Sequence, residues 1–172
     1  MVVNLESHIE KLLPAIREKW PASSKDIPIY IQQDNARPHV NPDDATITAA
    51  CQRDGWNIKL TSQPPNSPDF NVLDLGFFNS IQSLQAKQAP LTIDELITSV
   101  EQAYWSEPIH TTDFIFLSLM KAMESTMLVR GKNKYELQHM QKGSLLRSGE
   151  LPETIRCSDE AVEAALEVMS SL

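Results

Sequence analysis

The sequence predicts a mixed α/β fold: a strand–helix–strand unit with parallel strands, followed by a mostly helical carboxy-terminal region. Three observations predict it. Ile27, Ile29 and Ile31 alternate with other residues up to Gln33, and Trp56, Ile58 and Leu60 alternate in the same way. Between these runs Asn41-Pro42-Asp43-Asp44 opens a segment of helix length that Gly55 closes. Two short strands joined through a helix make a βαβ unit, whose strands run parallel with a right-handed crossover. After residue 71 the apolar spacing changes to steps of three and four, the period of helices.

Each element follows from local chemistry. Ile9, Leu12, Leu13, Ile16 and Trp20 recur at helical spacing over 5–20, Pro21 stops that helix, and Pro14 lies inside it as a point of kinking. Pro28 is compatible with the start of the strand over 27–33. Asn41 is read as the cap of the next helix, with proline at its first position and acids in its first turn. Residues 61–71 are rich in proline, serine and asparagine and read as a loop. Helices follow over 72–87, from Thr92 as cap (with Leu96, Ile97, Val100 and Tyr104), and over 112–130, where Phe116, Met120, Met123 and Met127 form one stripe and Gly131 is the stop. These stripes read as core faces. Residues 131–157 read as irregular, and Ser158-Asp159-Glu160 opens a last helix.

Composition narrows the function classes. With 41% hydrophobic residues the 172-residue chain has material for a core, and its length suggests one domain. Cys51 and Cys157 show no metal-ligand spacing, which fits a reducing compartment. No signal segment and no membrane span is expected. A net charge of −8 argues against a general nucleic-acid binder. The charge is uneven. Arg130, Lys132, Lys134, Lys142 and Arg147 stand against Glu136, a local net of +4. Residues 150–172 carry Glu150, Glu153, Asp159, Glu160, Glu163 and Glu167 against Arg156, a net of −5. The basic stretch fits either phosphate contact or an ordinary solvated loop.

Two motifs carry chemistry. Gln33-Asp34-Asn35-Ala36-Arg37-Pro38-His39 puts an aspartate off the end of the first strand. Pro64-Pro65-Asn66-Ser67-Pro68-Asp69-Phe70-Asn71-Val72-Leu73-Asp74 carries another into the first turn of a helix, with 39 residues between Asp34 and Asp74. Paired carboxylates hold hard divalent cations, and such cations drive phosphoryl transfer. Taken alone, Asp34 also fits a turn and Asp74 also fits a helix-dipole partner. Asp69 reads as a structural turn residue. Arg37 and His39 fit phosphate contact or carboxylate orientation, and equally capping of the next helix. Asn35 reads as closing the turn.

Both motifs, at this interval, resemble the second and third acidic motifs of mariner-like transposases, in the branch common in plants. The flanking Leu73-Asp74-Leu75-Gly76-Phe77-Phe78 and the upstream Leu13-Pro14-Ala15-Ile16-Arg17-Glu18-Lys19-Trp20-Pro21 extend the resemblance over roughly residues 5–150. It implies a ribonuclease-H-like fold and metal-dependent cleavage and transfer of DNA strands at transposon ends in the nucleus. It makes Asp34 and Asp74 two of three ligands for Mg²⁺ or Mn²⁺, and gives Asn35, Arg37 and His39 a role in positioning DNA phosphate. It divides the chain into part of the catalytic domain, 1–88, and a helical region with an acidic tail, 89–172.

The match has a gap. The family's first aspartate lies on an earlier strand, and Glu6, Glu10, Glu18 and Asp26 follow no strand in this reading. The family's helix-turn-helix DNA-binding region has no counterpart here either. The expectation is therefore an incomplete ribonuclease-H-like fold, weak metal binding, no catalysis by this chain alone, and self-association through an uncovered strand edge. The alternative is a domesticated module that binds DNA or protein without catalysis.

Overall fold

The computed structural model describes residues 5–171. The protein is mixed α/β, 59% helical with one two-stranded parallel sheet. It forms two compact units, the first ending at Asn66 and the second beginning at Ser67.

In the first unit helix α1 is built in three stretches: α-helical Leu5–Ser7, π-helical His8–Leu12 and α-helical Leu13–Lys19. The cause is Pro14. It has no N–H for the carbonyl four residues back, and its ring crowds that turn. The chain widens just ahead of it, with Leu13 N–H reaching His8 O. The expected kink is thus a π stretch. Strand β1, Ile29–Gln33, and strand β2, Ile58–Ser62, flank helix α2, Ala45–Gln52. The strands are parallel, with Ile29 beside Ile58 and Gln33 beside Ser62.

Both strands begin two residues later than the alternation suggested. Asn57 belongs to the preceding turn, donating through its N–H to Lys25 O at 3.1 Å and through Nδ2 to Asp26 O at 3.1 Å. The cap of α2 is Asp44 rather than Asn41. Asp44 Oδ1 accepts from the N–H groups of Thr46 and Ile47, at 2.8 and 3.2 Å, whereas Asn41 closes an Asx turn on Asp43. The helix ends at Gln52, and Asp54 and Gly55, both with positive φ, turn the chain toward β2.

The core of this unit is Leu13, Ile29, Ile47, Ala50, Cys51 and Ile58, with Ile9, Ile16 and Leu60 packed on it. Each such leucine or isoleucine contributes about 1.5–3 kcal/mol through burial. The Arg17 guanidinium bonds Ala50 O, tying α1 to the last turn of α2. Burial pushes the Cys51 thiol up, against a smaller pull downward from Arg17. The other sheet face is open: Tyr30 is 62% exposed, with Lys59 Nζ 5.8 Å from its ring centroid. β1 has β2 on one edge and no strand on the other among the described residues.

In the second unit α3 begins as a π stretch, Leu73–Phe77, and continues as Phe78–Ala86. Helix α4, Ile93–Trp105, carries a full capping box: Thr92 Oγ1 accepts from Glu95 N–H, and Glu95 Oε2 accepts from Thr92 N–H. Helix α5 spans Ile109–Leu128, starting three residues before the predicted 112. Helix α7, Asp159–Ser170, is capped by Ser158 as expected.

Residues 131–157 are not all irregular. They hold a short helix α6, Lys142–Ser148, closed by Gly149 in the left-handed region. Ala103, Ile115, Leu117, Ala122 and Ala161 form the buried interior, with α3 against α4 and α7 against α5. Gly76 is where α3 meets α5: a Cβ there would lie 2.9 Å from Ile115 Cγ1.

Candidate functional site

Strand β1 ends at Gln33, so Asp34 is the first residue past a rigid element. Alternation decides its side. Ile29 is buried and Tyr30 is exposed, and Asp34 continues the series of Tyr30 and Gln32. The register sets Tyr30 beside Lys59 and Gln32 beside Thr61. One step further brings Asp34 beside Gln63, at the carboxyl ends of both strands. In open parallel sheets that end is where ligands bind.

The Asp34 carboxylate is held at one oxygen. Its Oδ1 accepts from Ala36 N–H at 2.8 Å, an Asx turn, and lies 2.7 Å from His39 Nε2. Asn35 Nδ2 donates to Gln63 O at 2.9 Å, one rung past the Gln63 N–H to Gln33 O bond of 2.9 Å. The Asn35 side chain therefore extends the ladder by a rung. His39 is the residue that orients Asp34, and Asp44, not Arg37 or His39, caps α2. Arg37 is exposed and joins no ion pair among the described residues.

Gln63 was not singled out from the sequence. The residue is buried, with 9% of its surface exposed, and Oε1 has no partner. Gln33 Oε1 and His39 Nδ1 are buried and without partners too. Orphaned buried polar atoms are rare, and three of them belong to residues at or just past the carboxyl ends of the strands. The one sequence signal for Gln63 is that it follows β2 as Asp34 follows β1.

Asp74 belongs to the second unit, in the first turn of α3. It is exposed, and its Oδ2 accepts from Asn71 Nδ2 at 3.0 Å, while Asn71 Oδ1 accepts from Leu73 N–H at 3.0 Å. Asn71 thus caps the helix start and steadies the carboxylate at once. Asp69 has the structural role expected of it: its Oδ2 accepts from the Tyr135 hydroxyl at 2.9 Å. Burial, and then Asp69, push the Tyr135 phenol up.

Carboxylate oxygens are the ligands Mg²⁺ and Mn²⁺ prefer. The contacts described fall on Asp34 Oδ1 and on Asp74 Oδ2, and no hydrogen bond is described for Oδ2 of Asp34 or Oδ1 of Asp74. Among the described residues no group of three or more His, Cys, Asp or Glu side chains forms a metal cluster.

The basic stretch is partly committed to the fold. Arg130 pairs with Glu167 at 2.7 Å, and Lys142 Nζ donates to Phe114 O at 2.7 Å and to Ser118 Oγ. Burial pushes the Lys142 ammonium down. No helix among the described residues is long and apolar enough to cross a membrane. No protein-family model, curated protein or solved structure matches the chain.

Proposed function

We propose that this chain is the carboxy-terminal part of a mariner-like transposase catalytic domain, of ribonuclease-H-like ancestry, and that it does not cut DNA by itself. The observation that carries the reading is the placement of both motif aspartates. Asp34 stands one residue past the first strand of a parallel pair, and Asp74 lies in the first turn of the helix after the second. The motif sequences and their 39-residue interval supply the rest.

In this reading Asp34 and Asp74 are the two metal-ligand carboxylates the chain retains. Bound Mg²⁺ or Mn²⁺ would activate the attacking oxygen and stabilise the leaving oxygen of a phosphodiester. His39 orients Asp34, Asn71 orients Asp74, and Asn35 fixes the strand end that carries Asp34. Two carboxylates supply less negative charge than a three-carboxylate site, so affinity is low. DNA is the partner of the complete enzyme, and the nucleus its compartment. Because Arg130 and Lys142 are already engaged within the fold, a DNA-binding module without catalysis is the weaker reading.

Mn²⁺ titration followed by NMR tests the ligand assignment. Amide signals around Asp34 and Asp74 broaden first, and Asp34→Asn with Asp74→Asn abolishes the effect. Unchanged broadening in that double variant would overturn the assignment. Plasmid nicking with Mg²⁺ or Mn²⁺ tests the loss of catalysis: none is expected, and nicking abolished by Asp34→Ala would refute it.

A further inference from the structure

Helix α4 buries only one narrow side. Ser99 and Ala103 are buried, and α3 packs against α4. Beside that side lies an apolar stripe that the described residues leave open: Ile93 is 76% exposed, Leu96 43%, Ile97 54%, Val100 42% and Tyr104 49%. Ile93, Ile97, Val100 and Tyr104 are spaced by four, three and four residues. That is the seam spacing of a helix that packs along another helix. Tyr104 is held edge-on between Phe77 and Trp105, with ring centroids 6.1 and 5.0 Å away, so one end of the stripe is pre-ordered.

Charge states what the opposing helix must carry. At 3.6 residues per turn, Asp94 and Glu101 line the border of the stripe away from α3. Among the described residues neither belongs to an ion pair. From Gln88 to Met120 the chain has Asp94, Glu95, Glu101, Glu107 and Asp113 and no lysine or arginine. A second copy is a poor occupant. Antiparallel pairing sets this acidic border against itself, and parallel pairing sets it against the side already packed on α3.

We propose that the open face of α4 is a docking surface for an amphipathic helix whose apolar seam is bordered by lysine or arginine. Such a helix buries its seam on Ile93, Ile97, Val100 and Tyr104 and sets its cations against Asp94 and Glu101. This is helix-on-helix recognition with charge fixing register and partner choice. It is independent of the transposase reading.

The test uses three synthetic peptides and the whole chain: a Leu/Lys heptad helix, its Leu/Glu counterpart, and a scrambled Leu/Lys peptide of the same composition. Fluorescence anisotropy is expected to show the Leu/Lys helix binding at least about tenfold tighter than either control. Ile97→Ser, at an exposed position, weakens it by about tenfold with the circular dichroism spectrum unchanged. Asp94→Lys with Glu101→Lys inverts the preference toward the Leu/Glu helix. Equal binding of all three peptides, or binding that ignores Ile97→Ser, overturns the proposal. So does a dimer in sedimentation equilibrium that Ile97→Ser dissolves, because the occupant is then a second copy.

Discussion

Glu124 is a buried acid on α5 that holds the start of α7 in place. Its Oε2 accepts from Lys121 Nζ at 2.7 Å and its Oε1 from Ser158 N–H at 2.9 Å. The side chains of Lys121 and Glu124 are 19% and 11% exposed, so water screens this pair little. Glu124→Ala removes both contacts and leaves an ammonium without its partner. A hydrogen bond to a charged group is worth about 1.5–3 kcal/mol net, and breaking a buried pair costs about 3–5 kcal/mol. Lys121 can swing partly to water, so the lower end applies, about 3 kcal/mol.

The sign with pH follows from the same contacts. The Lys121 hydrogen bond, and then the Ser158 N–H, hold the Glu124 carboxyl below its ordinary value. Its contribution is complete above the unfolded value of about 4.3 and is lost as pH falls through the lower folded value. Urea denaturation of wild type and Glu124→Ala, at neutral pH and in acid, should show a gap that closes on acidification. Adding Lys121→Met to Glu124→Ala should recover part of the loss, a coupling of about 0.5–3 kcal/mol. A gap under about 1 kcal/mol at neutral pH, the range of exposed ion pairs, would refute the argument.

Two further substitutions test local claims. Asp44→Ala removes the acceptor for Thr46 and Ile47 N–H and should cost about 1 kcal/mol by chemical denaturation, whereas Asn41→Ala should cost less. Gly76→Ala pushes a methyl toward Ile115 Cγ1 and should cost about 1–3 kcal/mol, and Ile115→Ala, which removes that atom, should cost less stability in the Gly76→Ala background than in the wild type.

The βαβ unit was legible because its signals are local and agree. Isoleucine alternation sets the inward face, and Asn41-Pro42-Asp43-Asp44 and Gly55 bracket the helix by their chemistry, although the cap is Asp44 and not Asn41. The strand limits were less so. Asn57 looks like a strand residue until its two bonds to Lys25 O and Asp26 O are known, and those bonds join segments far apart in sequence. Helix α6 escaped notice because it is one short stretch with Gly143 inside it and no capping side chain.

At the site, Asp34 and Asp74 stood out through their motifs. Gln63 did not, because a lone glutamine carries no pattern and its burial is a tertiary fact. The stripe of α4 shows the same limit from the other direction. Spacing reveals that Ile93, Ile97, Val100 and Tyr104 share a face, but not whether anything covers it; the core reading concerns the stripe of α5, where Phe116 is 46% and Met123 43% exposed.

Each half of the chain encloses an oily centre of its own, Leu13 with Ile47 and Ile58 in one and Leu117 with Ala122 and Ala161 in the other. Heat or urea can therefore melt the protein in two stages. Damage at Asp44 is then expected to act on the stage of the first unit, and damage at Glu124 on that of the second. A single melting midpoint would blur two independent quantities into one.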